Sequence, residues 1–243
     1  MTGITQMDLE RLRAFDTPTI CNLIELFEIR PQNTGFMDAR IKACFPEMQP
    51  VVGFAAPATF RSAAPPRAGD VYAGTVGQVE RFDELSGPPV VVFQDLDDPP
   101  VGATFGEVMC TTYQAFGAVG LITSGAGRDL EQVRDIGFPV FTDGTICAHS
   151  YPQIVAAHVP VSVGGITVYP DDLLHGDLNG VTTVPHDIVG ELIDIGDEFV
   201  AAEAVILQAL RSGPASVRIL QEAREESGAR IRELRVRVSR AGK

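Results

Sequence analysis

Val90 to Phe93 is a short apolar run rich in β-branched side chains, Glu107 to Phe116 carries a helical pattern, and Ala118 to Thr123 is apolar again. That order is a βαβ unit. A helix of about ten residues rises roughly 15 Å and a strand of five or six covers a similar distance, so the chain returns to the edge it left. Glu107, in the first turn of the helix, and Arg128-Asp129, just past the second strand, are therefore expected to face one crevice. In open α/β sheets this carboxyl edge is where ligands bind. Two carboxylates, a cation and a helix N-terminus in one crevice can hold a divalent metal and an anionic substrate. A surface ion pair beside a helix cap is the alternative reading of the same spacing.

Shorter elements surround that unit. Met7 to Phe15 and Pro18 to Phe27 are expected helices, with Thr17 as a cap before Pro18 at the first helical position. Val51 to Phe60 is expected as a strand and 61–70, RSAAPPRAGD, as a loop. Phe138 to Thr142, Val161 to Val163, Ile166 to Val168 and Gly180 to Val184 are further short strands. Asp187 to Leu210 and Ala215 to Glu226 are expected helices, divided by the stop signal Ser212-Gly213-Pro214. Leu234, Val236 and Val238 alternate with Arg235 and Arg237, a strand-like period.

A chain of 243 residues, 45% hydrophobic, can bury one sizeable core. No apolar run reaches the roughly 18 residues of a membrane span, and MTGITQMDLERLRAF is charged where a signal peptide would be apolar. A cytoplasmic protein with no membrane partner is expected. Cys21, Cys44, Cys110 and Cys147 form no CxxC pair and read as buried thiols. The net charge of −13 argues against nucleic acid as a direct partner, because phosphate binding needs clustered cations. Residues 1–210 carry 10 basic and 28 acidic side chains, whereas residues 211–243 carry 9 and 4. A domain over 1–210 followed by a basic C-terminal extension over 211–243 is the expected division.

The Glu-x20-Arg-Asp spacing of Glu107, Arg128 and Asp129 starts at Phe105-Gly106-Glu107 and is followed by Phe138-Pro139-Val140-Phe141-Thr142-Asp143-Gly144. It resembles the RraA-like family, which includes class II 4-hydroxy-4-methyl-2-oxoglutarate/4-carboxy-4-hydroxy-2-oxoadipate aldolases and a non-catalytic regulator of a ribonuclease. A second block agrees: Gly164 to Leu173, Gly176 to Val181 and Val184-Pro185 are similar to the family's Pro-Gly-Asp and Asp-x-x-Gly-Val segments. Phe15 to Asn22 is a weaker match. Composition and element order alone indicate α/β. The resemblance implies a layered β/β/α fold of the swivelling-domain type, a single domain with C-terminal helices. It also implies assembly as a homotrimer or hexamer, on which the basic extension would pack against its own or a neighbouring subunit.

What the aldolases do implies roles for this chain's residues. Arg128 would bind the pyruvyl group of a 2-oxo acid, its planar fork suiting a carboxylate or a 2-oxo oxygen. Asp129 would ligate Mg²⁺ or Mn²⁺, partly through water. Glu107 would orient a metal-bound water that shuttles the proton. Backbone N–H groups of the loop Gly102-Ala103-Thr104-Phe105 would bind the substrate carboxylate. Glu203, from a neighbouring subunit's C-terminal helix, would complete the metal shell, with Glu198 as its competitor. Retro-aldol cleavage and oxaloacetate decarboxylation both leave a pyruvate enolate, whose charge a metal and Arg128 would stabilise. The expected protein is a divalent-metal-dependent lyase acting on a 2-oxo acid. The alternative is a regulatory binding protein that docks its acidic surface onto a basic partner.

The chain departs from the family pattern at Ser124-Gly125, where many members have aspartate-glycine, at Asn22, where aspartate is usual, and at Pro170-Asp171-Asp172, where Pro-Gly-Asp is usual. Gly125-Ala126-Gly127 lacks the third glycine of a dinucleotide fingerprint, and no Gly-x-Ser-x-Gly elbow is present. His149, His158, His175 and His186 show no metal-ligand spacing, although His175, expected at a strand end, could reach a substrate. Asp95-Leu96-Asp97-Asp98 is expected as a solvated turn ahead of Pro99-Pro100.

Overall fold

The structure, a computed structural model, describes residues 3–67 and 73–241. The last three residues of the expected loop 61–70 lie outside them. In chain order the elements begin with helices α1 (Gln6–Arg13) and α2 (Thr17–Phe27), strands β1 (Lys42–Ala43) and β2 (Val51–Arg61), and helix α3 (Ala73–Val79) with a 3-10 turn at Glu80–Glu84. Strands β3 (Pro89–Asp95) and β4 (Ala103–Phe105), helix α4 (Glu107–Ala115), strands β5 (Gly120–Thr123) and β6 (Ala126–Gly127), and helix α5 (Leu130–Asp135) follow. Then come strands β7 (Val140–Thr142), β8 (Gly144–Thr145), β9 (Gln153–Ala157), β10 (Val161–Val163), β11 (Ile166–Val168), β12 (Leu173–Asp177) and β13 (Gly180–Val184). A 3-10 turn at His186–Ile188 leads into the C-terminal helices α6 (Val189–Arg211) and α7 (Val217–Val238). The expected mixed α/β class with C-terminal helices is present.

Two compact units divide the chain: Met1–Thr17 with Gly35–His186, and Pro18–Thr34 with Asp187–Lys243. In the first, β7, β5, β3 and β2 lie side by side and parallel, and antiparallel pairing adds β1 beside β7 and β12, then β13, beside β2. Strand β9 adds to the second half of β2. The central strands read as continuous apolar runs because both faces are covered. Val91 and Phe93 of β3 point to one face, with Phe60, Phe105 and Tyr113. Val90 and Val92 point to the other, with Ile122, Val161 and Leu174. The β-branched run therefore builds two apolar layers from alternate residues of one strand. Strands β10 and β11 form a separate hairpin, and β4, β6 and β8 a second, three-stranded parallel sheet.

Helices α6 and α7 form the antiparallel core of the second unit. Ser216 caps α7 by accepting from the Ile219 N–H at 3.2 Å. Arg237 forks onto Glu198 at 2.7 and 2.9 Å, and Arg240 pairs with Glu191. The Arg240 N–H reaches Phe27 O at 2.8 Å while its guanidinium lies over the Phe27 ring, which ties the last turn to α2. Among the described residues no helix is long and apolar enough to cross a membrane.

Several expectations need correction. Residues 234–238 are helix, not strand: Leu234 and Val238, four apart, are buried, whereas Val236 between them is 85% exposed. Helix α7 also continues through Ser227-Gly228, beyond the expected stop at Glu226. Thr17 is the first residue of α2, and its hydroxyl bonds His175 Nδ1 at 2.9 Å. Strands β1, β6, β8 and β9 and helices α3 and α5, two to seven residues long, had no sequence expectation. Cys110 is a buried thiol, but Cys147 is exposed.

Candidate functional site

Strands β3, β5 and β7 of the main sheet each run on into one strand of the second sheet, β4, β6 and β8 respectively. Strand β4 pairs with β6 in parallel, Ala103 opposite Ala126 and Phe105 opposite Gly127, and β6 pairs with β8, Gly127 opposite Thr145. This register places Gly106-Glu107 beside Arg128-Asp129. The Glu107 N–H donates to Asp129 Oδ2 at 3.2 Å, and Arg128 Nε lies 3.6 Å from the same oxygen.

Two glycines make the approach possible. A Cβ on Gly106 would stand 2.6 Å from Asp129 Oδ2 and 3.1 Å from Arg128 Nε, and one on Gly127 would overlap the ring of Phe105, itself 1% exposed. Asp129 precedes α5 as its N-cap but makes no side-chain bond to it. Its carboxylate caps α4 instead, where Gly106 offers no side chain and a negative charge suits the helix N-terminus. The Asp129 backbone is left-handed, φ 54° and ψ 38°, a conformation that costs most side chains energy and that aspartate tolerates better than most.

Arg128 and Asp129 line a groove of about 400 Å³ with Leu130, Thr145, Ile146 and Cys147. Their side chains are 31% and 38% exposed, open enough to meet a ligand. The Glu107 side chain is exposed at the start of α4. The Glu107 backbone thus lies beside Arg128 and Asp129 at the second sheet rather than directly on the main one, while Glu107 is not among the residues lining the groove. The Thr145-Ile146-Cys147 wall had no sequence expectation, its only signal being its position after the third parallel strand.

Gly102-Ala103-Thr104-Phe105 is not an open loop. Its last three residues are strand β4 and all four are buried. The Ala103 N–H is used by Ala148 O at 2.8 Å, and the Thr104 hydroxyl by Thr123 and by Ala126 O. The Ala103 amide is therefore engaged within the chain, and the segment lies behind the site as a covered strand. Glu203 lies half-buried on α6, in the helical unit. Glu198 is committed to Arg237 of its own chain.

Among the described residues no three His, Cys, Asp or Glu side chains gather into a metal cage. The donor set still suits a magnesium-like ion. Both contacts of the Asp129 carboxylate fall on Oδ2, which leaves Oδ1 for a cation, and such ions bind through one or two carboxylates while keeping several waters.

Ser124 belongs to a different cavity, of about 260 Å³, at the carboxyl ends of β3, β5 and β7, with Arg40, Asp95, Asp97, Asp98 and Asp143. Its hydroxyl accepts from the Asp95 N–H at 3.0 Å. Asp97 braces the chain leaving β2 by accepting from the N–H groups of Ser62 and Ala63. Asp95 Oδ2 is buried without a hydrogen-bond partner, and burial pushes its carboxyl up to about 6. The expected solvated turn is therefore half inside. Asp171, at the position where the family pattern has glycine, holds φ 70° and fixes Ser86 through its N–H and hydroxyl, at 2.7 and 2.6 Å. Asn22 is an exposed residue of α2.

His175 does not reach a ligand. It sits fully buried in the middle of β12, with Nδ1 on the Thr17 hydroxyl and Nε2 at 3.1 Å from Leu12 O. A carbonyl only accepts, so Nε2 carries the proton and Nδ1 accepts from Thr17. Burial holds the imidazole below its ordinary range, which keeps it neutral.

Parallel strands feeding a smaller second sheet, with an Arg-Asp pair held against the start of the preceding helix, define an α/β protein with a candidate small-ligand groove beside its helix starts. The chain belongs to the RraA-like family, described as Aldolase/RraA, whose match covers residues 17–183. A relative from Halalkalibacterium halodurans named "Putative 4-hydroxy-4-methyl-2-oxoglutarate aldolase" is 33% identical over 101 residues, 41% of this chain and 48% of that protein. Protein DlpA of Legionella pneumophila is 29% identical over 124 residues, half of this chain and 20% of DlpA. The chain thus spans at most about half the length of these curated relatives. An uncharacterized protein from Pseudomonas syringae shares the fold with a TM-score of 0.71 at 23% identity, covering 92% of this chain and 95% of that one. Streptomyces coelicolor RraAS2, described as an unusual member of the RNase ES inhibitor RraA family, does so at 0.64 and 22%, covering 82% and 96%.

Proposed function

We propose that the protein is a divalent-metal-dependent lyase that forms a pyruvate enolate, by retro-aldol cleavage of a 4-hydroxy-2-oxo acid or by decarboxylation of oxaloacetate. The observation that carries this reading is the joining of Glu107, Arg128 and Asp129 across the β4–β6 pair, beside a groove of small-molecule size. The relative named as an aldolase supports it.

Arg128 grips the carboxylate and C2 oxygen of the substrate, and its fixed charge stabilises the negative charge that develops on that oxygen. Asp129 orients Arg128 through the Nε contact and anchors the start of α4, so guanidinium and Glu107 keep their spacing. The Glu107 carboxylate takes the C4 hydroxyl proton, directly or through water, and returns it to C3. Mg²⁺ or Mn²⁺ held by Asp129, with a carboxylate such as Glu203 from a neighbouring subunit of a homotrimer, would add Lewis-acid stabilisation of the same charge.

The test is pyruvate release from oxaloacetate and from 4-hydroxy-2-oxo acids, with Mg²⁺ or Mn²⁺ and again with EDTA, for wild type, Arg128→Ala and Asp129→Ala. Release that requires the metal and both side chains is expected. A rate no greater than metal alone would refute the lyase reading. A second reading, docking onto a basic partner protein, rests on the 28 acidic against 10 basic side chains of residues 1–210. Salt-sensitive binding to such a protein without turnover would support it.

A further inference from the structure

We infer that Thr142 is a positioning residue of the candidate site: its buried hydroxyl ties the strand that leads into Arg128 and Asp129 to the strand that leads into the facing wall, and so fixes the groove between them. The effect on turnover rests on the lyase reading above; the spacing of Arg128 and Cys147 does not.

Three buried threonines stand where the main sheet passes into the second one: Thr104 in β4, Thr123 at the end of β5 and Thr142 at the end of β7. On the β4 side, the Thr104 hydroxyl lies 3.1 Å from Ala126 O, and the Gly125 N–H donates to Thr123 Oγ1 at 2.9 Å. On the β8 side stands Thr142. Its hydroxyl is 2.7 Å from Gly125 O and 2.9 Å from Gly144 O, and Oγ1 accepts from the Gly144 N–H at 3.3 Å. A hydroxyl has one proton, and the shorter contact gives it to Gly125 O. A single side-chain atom therefore joins the entry of β6 to the start of β8.

The strands it joins have little rigidity of their own. Strands β6 and β8 are two residues long, and Gly125, Gly127 and Gly144 supply no side chain to pack. Backbone bonds from the Asp143 N–H to Gly125 O at 3.2 Å and from the Ile146 N–H to Gly127 O at 3.0 Å complete the join. Arg128 lies three residues beyond Gly125, and Cys147 three beyond Gly144, so a shift at the clasp reaches both walls of the groove. A misplacement of about 1 Å can cost on the order of a hundredfold in rate. Strand preference alone does not call for the hydroxyl, since valine has the same branched shape and an equal liking for strands.

The experiment removes the hydroxyl in Thr142→Val and Thr142→Ala and keeps it in Thr142→Ser. All three give up a buried contact and should melt below wild type, so stability does not separate them. Turnover of oxaloacetate or a 4-hydroxy-2-oxo acid by the Mg²⁺-loaded protein should: kcat/KM falls at least about tenfold in the valine and alanine variants and stays within about threefold in the serine variant. A second readout needs no turnover. Cys147 is the exposed thiol on the wall facing Arg128, and the Arg128 charge should favour its alkylation by iodoacetate over iodoacetamide, measured on the Cys147 peptide with EDTA present. Arg128→Ala should lower that rate ratio by at least about twofold, Thr142→Val and Thr142→Ala should lower it likewise, and Thr142→Ser should preserve it. A ratio unchanged in the valine and alanine variants overturns the inference, as does a ratio indifferent to Arg128→Ala. So does an equal loss in Thr142→Ser, or an unchanged kcat/KM where wild type turns over. If wild type releases no pyruvate from any of these substrates, the lyase reading falls and the ratio alone decides the role of Thr142.

Discussion

Gly106→Ala isolates the contact on which the site depends. The Gly106 backbone is extended, with φ −159°, so alanine meets no backbone strain and the effect is steric. The new methyl would stand 2.6 Å from Asp129 Oδ2, where ordinary contact begins at 3.4 Å, so the carboxylate must retreat by about 0.8 Å. Its bond to the Glu107 N–H, already 3.2 Å, would then be lost. A hydrogen bond to a charged group is worth about 1.5–3 kcal/mol, and partial exposure lowers this to about 1–2. Alanine recovers about 0.4–1 kcal/mol by restricting the unfolded chain. The net loss is therefore about 0–1.6 kcal/mol, a fall in Tm of a few degrees at most for a chain of this size. Turnover should suffer far more, because Arg128 and Glu107 both lose the group that orients them. The assay is a double-mutant cycle in thermal unfolding, with Asp129→Ala as the second change. Without the carboxylate Gly106→Ala should be neutral or slightly stabilising. The same cost in both backgrounds would refute the argument that Gly106 exists to admit Asp129.

The other predictions concern stability. His175 is held neutral in the fold while the unfolded chain protonates near 6.5, so stability present above that pH is lost as the pH falls through and below it. Urea midpoints of wild type should drop more steeply on acidification than those of His175→Gln, and parallel curves would contradict this. For Asp95 the sign is opposite: its folded value of about 6 lies above 3.8, so its stabilising share is whole below about pH 4 and gone above about pH 6. Asp95→Asn should therefore gain on wild type as the pH rises through that window, and a constant difference would count against a sealed Oδ2. At Asp129, glycine should be more stable than alanine by about 1 kcal/mol, because only glycine takes φ 54° without cost, while both variants lose turnover. Equal melting of the two would argue against the left-handed backbone.

Much of the fold was legible because one strand pattern carries it. Val90 to Phe93 is a buried parallel strand and reads as one, since covering both faces erases any polar alternation. The second sheet was invisible for the converse reason. Strands β6 and β8 have two residues each, including Gly127 and Gly144, and nothing in so short a span distinguishes strand from loop. Gly102 to Phe105 was therefore taken for an open loop when Ala103 to Phe105 is a covered strand. The tail misled through charge. Leu234, Val236 and Val238 suggest a period of two, and only burial shows that the positions that matter are four apart. His175 lies in an unremarkable stretch, and its role depends on Thr17 and Leu12, some 160 residues away.

The candidate site is where local rules are broken together. Gly106 leaves α4 without a side-chain cap, Gly127 gives up a side chain inside a sheet, and Asp129 sits left-handed at the start of a helix it does not cap. Each choice taken alone weakens the fold: serine would cap α4 better, and glycine would suit φ 54° better. Asp171 breaks the same backbone rule, but its carboxylate is fully engaged with Ser86, so its strain has a structural return. At Asp129 the return is one long hydrogen bond and a 3.6 Å ion pair, both partly in water. Such contacts are too weak to select a strained aspartate for stability alone. What the arrangement does secure is an Arg-Asp pair at a fixed distance from the start of a helix, on the wall of the groove. Ser150, His158 and Asp171 of this unit are left-handed as well, and Asp129 differs from Asp171 in that its carboxylate lies on the groove where the proposed chemistry needs it.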